Sequence, residues 1–207
     1  MSLEKLHHAP DRAWALWRIS ETADELLALV KGIDTIPATV TNASKQLEHL
    51  AGRALMSNLM SSLGMTYRGL RKDEFGKPYA EGYDVHLSLS HSYPYVAAVV
   101  DRTKTVGIDL EQPKAKLLRI APRVLSAAEL ADAGTDPVKH CVIWCAKEAM
   151  IKIYGKKDLT LAQNLLVDPF ELTQEGHILG RIIVKGIETR VPLQYFVNHE
   201  FVVALNT

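Results

Sequence analysis

Two kinds of hydrophobic spacing alternate along this chain of 207 residues. Apolar residues recur every three to four positions from about Ala43 to Leu63, which predicts an amphipathic helix that stops at Gly64. Elsewhere the apolar residues alternate with polar ones or form short unbroken runs, as they do in strands. On this basis we predict strands at residues 14–19, 85–90, 95–100, 106–110, 178–184, 193–197 and 201–205.

Polar residues mark where further helices begin. Thr22 and Ser126 each open a capping box, in which a hydroxyl and a glutamate three residues later satisfy each other's backbone amides. Asp136 followed by Pro137 begins another helix, which runs to Tyr154.

Two segments between the predicted strands are expected to be irregular. Residues 71–84 combine glycine, proline and charge, which predicts a loop. Residues 101–105 separate two apolar runs, so we expect a hairpin that pairs residues 95–100 with residues 106–110. The order of helices and strands predicts a mixed α+β fold.

The two halves of the chain contain similar elements in the same order. Residues 51–55 are similar to residues 146–150, and residues 95–99 are similar to residues 201–205. Each match is weak alone, because alanine-rich helices and valine-rich strands are common. These residues alone favour neither the presence nor the absence of an internal repeat.

Composition excludes several classes of function. Twenty-four Lys and Arg balance 24 Asp and Glu, so the net charge is zero and nucleic acid is not expected as a partner. No apolar run approaches the roughly 20 residues that cross a bilayer, and the first residues lack the apolar core of a secretion signal. Cys141 and Cys145 are interpreted as packing residues in a reducing compartment. We therefore expect a cytoplasmic protein with no membrane partner.

A pair of carboxylates provides the first candidate chemistry. Asp109 and Glu111 lie two positions apart in a predicted strand, so both side chains point to the same face. Like charges in apolar surroundings repel unless something neutralises them. A hard divalent cation such as Mg²⁺ would do so, because it prefers oxygen ligands. The alternative is a strand end where water hydrates both groups.

The helix that ends at Tyr154 carries a second set of candidate residues. Trp144, Glu148 and Lys152 follow one another at a spacing of four and share one helix face. Glu148 is suited to complete a magnesium site, with Lys152 one turn away near the anion that the metal holds. The alternative is an exposed Glu–Lys pair that contributes about 0.3 kcal/mol.

These motifs together resemble the signature of the 4′-phosphopantetheinyl transferase superfamily. That signature is Gly-Ile/Val-Asp followed by Trp/Phe-x-x-Lys-Glu-x-x-x-Lys, which residues 107–109 and 144–152 match. The Gly-Lys-Pro motif at 76–78 and the Ser-His-Ser motif at 90–92 are similar to those of the two-lobed, surfactin-synthetase-type branch. The resemblance covers residues 12–155, and the C-terminal residues add a compatible β pattern.

The resemblance implies a fold and a reaction. The fold would be a pseudo-twofold duplication of an α+β lobe with the active site between the lobes. Residues 1–103 would form the coenzyme A nucleotide-binding wall, and residues 104–207 the magnesium-binding and catalytic wall. The enzyme would move the 4′-phosphopantetheine group of coenzyme A to a serine of an apo acyl or peptidyl carrier protein. It would need Mg²⁺, release adenosine 3′,5′-bisphosphate and act as a monomer.

The resemblance also implies roles for individual residues. Asp109, Glu111 and Glu148 correspond to the metal-binding carboxylates, and Glu148 also corresponds to the general base. Lys152 corresponds to the lysine that contacts the phosphates and stabilises the leaving group. The residues that correspond to coenzyme A contacts are Arg53, Lys77, Pro78, Ser90, His91, Asp109 and Lys152. Among these, Arg53 and His91 would bind the 3′-phosphate, while Lys77 and Pro78 would lie against the adenine.

If the halves are equivalent, Arg53 and Glu148 occupy corresponding helix positions, one basic and one acidic. Few cations precede Arg53, so the grip on the 3′-phosphate would be weaker or supplemented by Arg68, Arg71 or Lys72. By analogy, the helices after Glu111 would meet the carrier protein, through Arg119, Arg123 and an exposed Leu117.

Two other functions stay open from the sequence. One is a catalytically silent relative that binds coenzyme A or a carrier protein without turnover. The other is an unrelated Mg²⁺-dependent phosphohydrolase built on the three carboxylates. The pathway that the carrier protein serves is not readable from these residues.

Overall fold

In the computed structural model, which describes residues 2–30, 32–156 and 158–207, the chain divides into two compact units. The first unit ends at Val106, and the second runs from Gly107 to Thr207. Each unit combines an antiparallel sheet with one long helix, so the predicted α+β class is confirmed. Among the described residues, no helix is long and apolar enough to cross a membrane.

The first unit builds its sheet from strands that are distant in sequence. Its strands are β1 (Ser2–His8), β2 (Arg12–Arg18), β3 (Leu70–Lys72), β4 (Pro78–Ala80), β5 (His86–Ser92) and β6 (Tyr95–Asp101), and its helices are α1 (Ala23–Leu29) and α2 (Ala43–Ser62). The main sheet has the order β1-β2-β6-β5, and β3 pairs with β4 in a separate hairpin.

The core of the first unit lies between α2 and the sheet. Ala51 and Ala54 are small enough to bring the helix close to β6, whose alternate residues Val96 and Ala98 face it. The helix ends as predicted, because Gly64 has a φ of 73°, which suits the left-handed turn that follows α2.

The second unit has the same kind of core. Its helices are α3 (Lys116–Val124), α4 (Ala127–Ala133), α5 (Pro137–Tyr154) and α6 (Leu161–Asn164), and its strands are β7 (Ile108–Glu111), β8 (Leu165–Val167), β9 (Glu175–Val184), β10 (Ile187–Val197) and β11 (Val202–Asn206). The sheet order is β7-β11-β10-β9-β8, and α5 packs on β11. Cys141 and Cys145 are buried free thiols on α5, in keeping with a packing role.

The topology of the two units supports an internal duplication. In the first unit β2 pairs with β6, which pairs with β5, and in the second β7 pairs with β11, which pairs with β10. All these pairs are antiparallel, and the long helix follows the first strand in both units. The correspondence therefore relates β2, α2, β5 and β6 to β7, α5, β10 and β11.

Two expectations about local structure were wrong. Residues 71–84 are not a simple loop, because they contain most of the β3–β4 hairpin. The strands at 95–100 and 106–110 do not pair with each other, since β6 pairs with β2 and β5 while β7 pairs with β11. The segment between them is a turn in which the buried Asp101 carboxylate accepts hydrogen bonds from the amides of Thr103 and Lys104.

Gly107, at the start of the second unit, marks a close approach of two backbones. A Cβ atom at this position would lie 2.1 Å from the carbonyl oxygen of Ala149 on α5. The Gly107 amide donates to Asn206 Oδ1 at 3.0 Å, which fixes the chain just before β7. The glycine of the Gly-Ile-Asp motif is therefore required by packing.

We expect Gly107→Ala to lower the free energy of unfolding by about 3 kcal/mol, because the added methyl group overlaps a backbone atom that cannot move aside cheaply. Gly52→Ala is the matched control, since Gly52 is helical and its Cβ would lie 3.4 Å from Leu89 Cδ2. In that control, the free energy of unfolding should rise by about 0.5–1 kcal/mol. Urea titration followed by circular dichroism measures both, and equal stability of Gly107→Ala and wild type would contradict the packing role.

Candidate functional site

Asp109 and Lys152 form the centre of the site in the second unit. Asp109 is buried on β7, and its Oδ1 lies 2.8 Å from Lys152 Nζ. Lys152 also donates to the carbonyl oxygen of Ile108 at 2.7 Å. The last turn of α5 is thereby tied to β7, which the close approach at Gly107 brings within reach.

Glu148, one turn before Lys152 on α5, is electrostatically coupled to Asp109. Burial raises the pKa of Glu148, and the negative charge of Asp109 raises it further, while Lys152 acts in the opposite direction. A carboxylate whose pKa is raised binds a proton more readily at neutral pH than an ordinary glutamate does. This property suits a general base.

Glu111 is engaged in local contacts on the same strand. Its Oε1 accepts a hydrogen bond from the Gln112 amide at 2.8 Å, and its Oε2 lies 3.5 Å from Lys116 Nζ. In residues 2–30, 32–156 and 158–207, no group of three or more His, Cys, Asp or Glu side chains is arranged to hold a metal ion. The three predicted carboxylates fit a hard divalent cation in the kind of donor they offer. In the present arrangement, lysines contact Asp109 and Glu111.

Lys147, the other lysine of the motif, forms a buried ion pair that connects several elements of the second unit. Its side chain is fully buried, and its Nζ lies 2.6 Å from Glu129 Oε2. It also donates to the carbonyl oxygens of Val124 and Leu161, and Glu129 Oε1 accepts from the Val167 amide. Burial lowers the pKa of Lys147, and the charge of Glu129 opposes this effect. The pair therefore joins α5 to α3, α4, α6 and β8.

In the first unit, a cleft of about 510 Å³ brings together several predicted residues. Arg53, Ser90 and His91 all line it, and so does Lys72, one of the three supplementary cations proposed above. Its full lining is Pro37, Thr39, Val40, Lys45, Glu48, His49, Gly52, Arg53, Leu70, Lys72, Leu89, Ser90, His91 and Val96. The lining thus combines apolar residues with three cationic side chains, Lys45, Arg53 and Lys72, and one carboxylate, Glu48.

Lys77 and Pro78 belong to the neighbouring β3–β4 hairpin. The carboxylate of Asp73 holds the turn, because Oδ1 accepts from the Phe75 amide at 3.0 Å and from the Lys77 amide at 2.8 Å. A smaller hollow is lined by Arg71, Lys72, Asp73 and Tyr79. Lys72 therefore borders both hollows, whereas the Arg68 guanidinium lies over the Tyr83 ring at 5.6 Å.

Arg53 already has an anionic neighbour within the first unit. Its Nε lies 3.7 Å from Asp34 Oδ1, and the Tyr67 hydroxyl donates to the other oxygen of Asp34. Burial and the Asp34 charge raise the pKa of Tyr67, so the phenol keeps its proton. Next to it on α2, burial and the Arg53 charge lower the pKa of His49, whose Nε2 lies 3.2 Å from the Thr35 carbonyl oxygen. The segment after α1 is thus attached to α2 beside the cleft.

Glu48 is the residue of this cleft that the sequence analysis missed. Its side chain is 2% exposed, with Oε2 at 2.6 Å from Lys45 Nζ and 3.1 Å from His91 Nδ1. Its Oε1 accepts a hydrogen bond from the Tyr93 amide at 2.8 Å. Burial alone would raise the pKa of Glu48, but His91 and Lys45 outweigh it and lower the pKa to about 2. The available signal was its position on the apolar stripe of α2, seven residues before Leu55.

One expectation for the carrier-binding surface was wrong. Leu117 is buried in the core of the second unit and is not exposed. Its neighbours Lys116, Arg119 and Arg123 lie on the exposed face of α3. The amphipathic character of α3 explains the difference, since Leu117 and Ala121 form its buried side.

Comparison with known proteins shows which family the second unit is similar to. The family model of the 4′-phosphopantetheinyl transferase superfamily matches residues 105–205. The resemblance inferred from the motifs is therefore confirmed over these residues. The match extends through the C-terminal strands, where the motifs had indicated only a compatible pattern.

Curated relatives point to the same family. A 4′-phosphopantetheinyl transferase of Bacillus subtilis is 35% identical over 115 residues, which cover 51% of this chain and 48% of the relative. The transferase psf-1 of Bacillus pumilus is 39% identical over 87 residues, covering 39% and 37%. The transferase ffp of Bacillus subtilis is 31% identical over 127 residues, covering 58% and 52%. The chain thus spans about half the length, or less, of these relatives.

We expect Glu148→Gln to stabilise the protein at neutral pH. Ionised Glu148 destabilises the folded state because its pKa is raised on folding. Glutamine removes this charge. The free energy of unfolding should therefore rise by about 0.5–2 kcal/mol, the usual range for a stabilising substitution. As the pH falls through the raised pKa, the wild-type carboxyl takes up a proton and the difference should shrink.

Thermal unfolding at about pH 8 and about pH 4 measures this effect. Glu171→Gln, an exposed position in the same unit, is the control and should show no such trend. A Glu148→Gln protein that is less stable than wild type at the higher pH would contradict the coupling to Asp109.

Proposed function

We propose that this protein transfers the 4′-phosphopantetheine group of coenzyme A to a serine of an apo acyl or peptidyl carrier protein, releasing adenosine 3′,5′-bisphosphate. The observation that carries the proposal is the arrangement of Asp109, Glu148 and Lys152 within residues that match the transferase superfamily. The relatives bearing the transferase name support the same activity.

In this proposal, Glu148 removes the proton from the carrier serine. Its raised pKa makes it a better proton acceptor at neutral pH than an ordinary glutamate. Lys152 offers a positive charge beside Asp109 and would stabilise the phosphate that leaves. Both groups are held by α5, which limits their motion relative to β7.

Asp109, Glu111 and Glu148 are the residues that would hold Mg²⁺. When bound, the ion would neutralise charge on the diphosphate of coenzyme A during phosphoryl transfer. Lys152 and Lys116 contact two of these carboxylates in the present arrangement, so both lysines lie close to the charges that the substrate would meet.

The cations of the first unit would bind the nucleotide of coenzyme A. Arg53 and His91 are proposed to contact the 3′-phosphate, with Ser90 and Lys72 beside them in the cleft. Lys77 and Pro78 are proposed to lie near the adenine. The hairpin that carries them includes the Asp73-bound turn, which supports a defined loop conformation.

The exposed cationic face of α3 is the proposed contact for the carrier protein. Lys116, Arg119 and Arg123 recur at three- to four-residue intervals, a spacing that suits an acidic helix of the partner. The protein is proposed to act as a monomer, because the duplicated topology supplies two related units in one chain.

The direct test is incubation of the protein with coenzyme A, Mg²⁺ and an apo carrier protein. We expect the carrier to gain the mass of one phosphopantetheine group, and we expect Glu148→Gln to lose this activity by at least about a hundredfold while still binding coenzyme A. Glu171→Gln should keep full activity. Intact mass spectrometry of the carrier measures the product.

The other outcomes of this assay would replace the proposal. Hydrolysis of coenzyme A without transfer would indicate a phosphohydrolase, and binding without any reaction would indicate a catalytically silent relative. Full transfer by Glu148→Gln would remove both the base role and the metal role of that residue.

We expect Arg53→Ala to weaken binding of coenzyme A about tenfold while changing the affinity for 3′-dephospho-coenzyme A much less, because a charge-assisted contact is lost only with the first ligand. Isothermal titration calorimetry measures both affinities. Arg190→Ala, at a largely exposed arginine of the second unit, is the control. Equal losses for the two ligands would contradict the assignment of Arg53.

A further inference from the structure

A buried carboxylate lies beneath two basic side chains of the first-unit cleft. The Glu48 side chain is 2% exposed, yet it contacts the side chains of Lys45 and His91, which are each about half exposed, at 56% and 52%. Its negative charge is therefore covered by the two groups that face the cleft. An isolated buried carboxylate would be strongly destabilising, so these contacts are needed to keep it there.

The fold itself does not require a carboxylate at this position. Under the correspondence of α2 with α5 and of β5 with β10, Glu48 corresponds to Ile143 and His91 to Val197. Ile143 is 1% exposed and belongs to the core of the second unit. The same topology is thus built with apolar residues at these positions in one unit and with a carboxylate and an imidazole in the other. The Glu48–His91 contact is a special feature of the cleft.

We propose that Glu48 is a positioning residue that holds Lys45 and His91 in the orientation in which they bind the 3′-phosphate of coenzyme A, an inference that rests on the proposed function. Because Glu48 Oε2 lies against His91 Nδ1, the opposite ring nitrogen, Nε2, is directed away from the carboxylate. Lys45 Nζ is anchored at the same oxygen and remains more than half exposed. Both side chains are therefore held in place before the ligand arrives.

Two effects of Glu48 on an anionic ligand oppose each other. Its charge repels the ligand, whereas its contacts remove the entropy loss of ordering a lysine and a histidine on binding. The repulsion is reduced because the Lys45 ammonium group and the His91 ring contact the same carboxylate oxygen, within 3.1 Å. We therefore expect ordering to be the larger effect and Glu48 to strengthen binding.

Glu48→Gln separates these roles from a merely structural one. Glutamine keeps an oxygen that accepts from the Tyr93 amide, so the link from α2 to the turn between β5 and β6 is retained. It removes the charge that holds Lys45 and His91. Glu4→Gln, at an exposed carboxylate of β1, is the matched control.

The experiment measures binding of coenzyme A and of 3′-dephospho-coenzyme A by calorimetry, at a temperature where circular dichroism shows each variant to be folded. We expect Glu48→Gln to bind coenzyme A about tenfold more weakly and 3′-dephospho-coenzyme A within about twofold of wild type. Nitrogen-15 spectra of the His91 ring, assigned with His91→Gln, should show that the fraction of rings protonated at Nδ1 falls in Glu48→Gln.

Several results would overturn the inference. In Glu48→Gln they are equal losses of affinity for both ligands, tighter or unchanged binding of coenzyme A, and an unaltered His91 spectrum. In the wild-type protein it is equal affinity for the two ligands. Failure of the proposed function is recognised separately. In that case the carrier protein gains no mass, whatever the effect of Glu48→Gln on the ratio of the two affinities.

Discussion

The candidate site depends on how closely β7 and α5 approach each other. At Gly107 the two backbones are so close that no side chain fits, since a Cβ atom would lie 2.1 Å from the Ala149 carbonyl oxygen on the helix. This contact allows Lys152 to reach both Asp109 and the Ile108 carbonyl oxygen. It also brings Asp109 close enough to Glu148 that its negative charge adds to burial in raising the pKa of Glu148. A larger residue at position 107 would separate these groups, so Gly107 shapes the candidate site through packing.

The two units share a topology but place their buried carboxylates at different positions. In the second unit Asp109 pairs with Ala204, and the corresponding pair in the first unit is Ala15 with Ala98, both fully buried in the core. The carboxylate position of one unit is therefore an apolar position in the other. The reverse holds for Glu48, whose counterpart is an isoleucine. Such exchanges are tolerated because each buried charge contacts an opposite charge, which offsets the free energy of removing it from water.

Much of this arrangement was predictable, because local signals and motif spacing agree with the fold. The capping boxes at Thr22 and Ser126 begin α1 and α4, and Asp136 caps α5. Strand pairing was not predictable at Asp101–Thr105, since the partners of β6 and β7 lie far away in sequence. The contacts of Glu48 and Lys147 were not predictable for a related reason. Their environments arise from tertiary contacts with His91 and Glu129, which neither helix periodicity nor the family motif reports.

The contrast between Lys147 and Lys152 shows why a motif alone does not assign roles. Both are lysines of the same helix, and both contact a carboxylate at less than 3 Å. Lys147 is fully buried and its ammonium group is surrounded by Glu129 and two carbonyl oxygens, so its interactions are those of a structural ion pair. Lys152 keeps 27% of its side chain exposed and lies beside a carboxylate that is itself coupled to Glu148. Access to solvent and the number of fixed partners, both set by the helix face on which each residue lies, distinguish a lysine that stabilises the fold from one that we propose to meet a substrate anion.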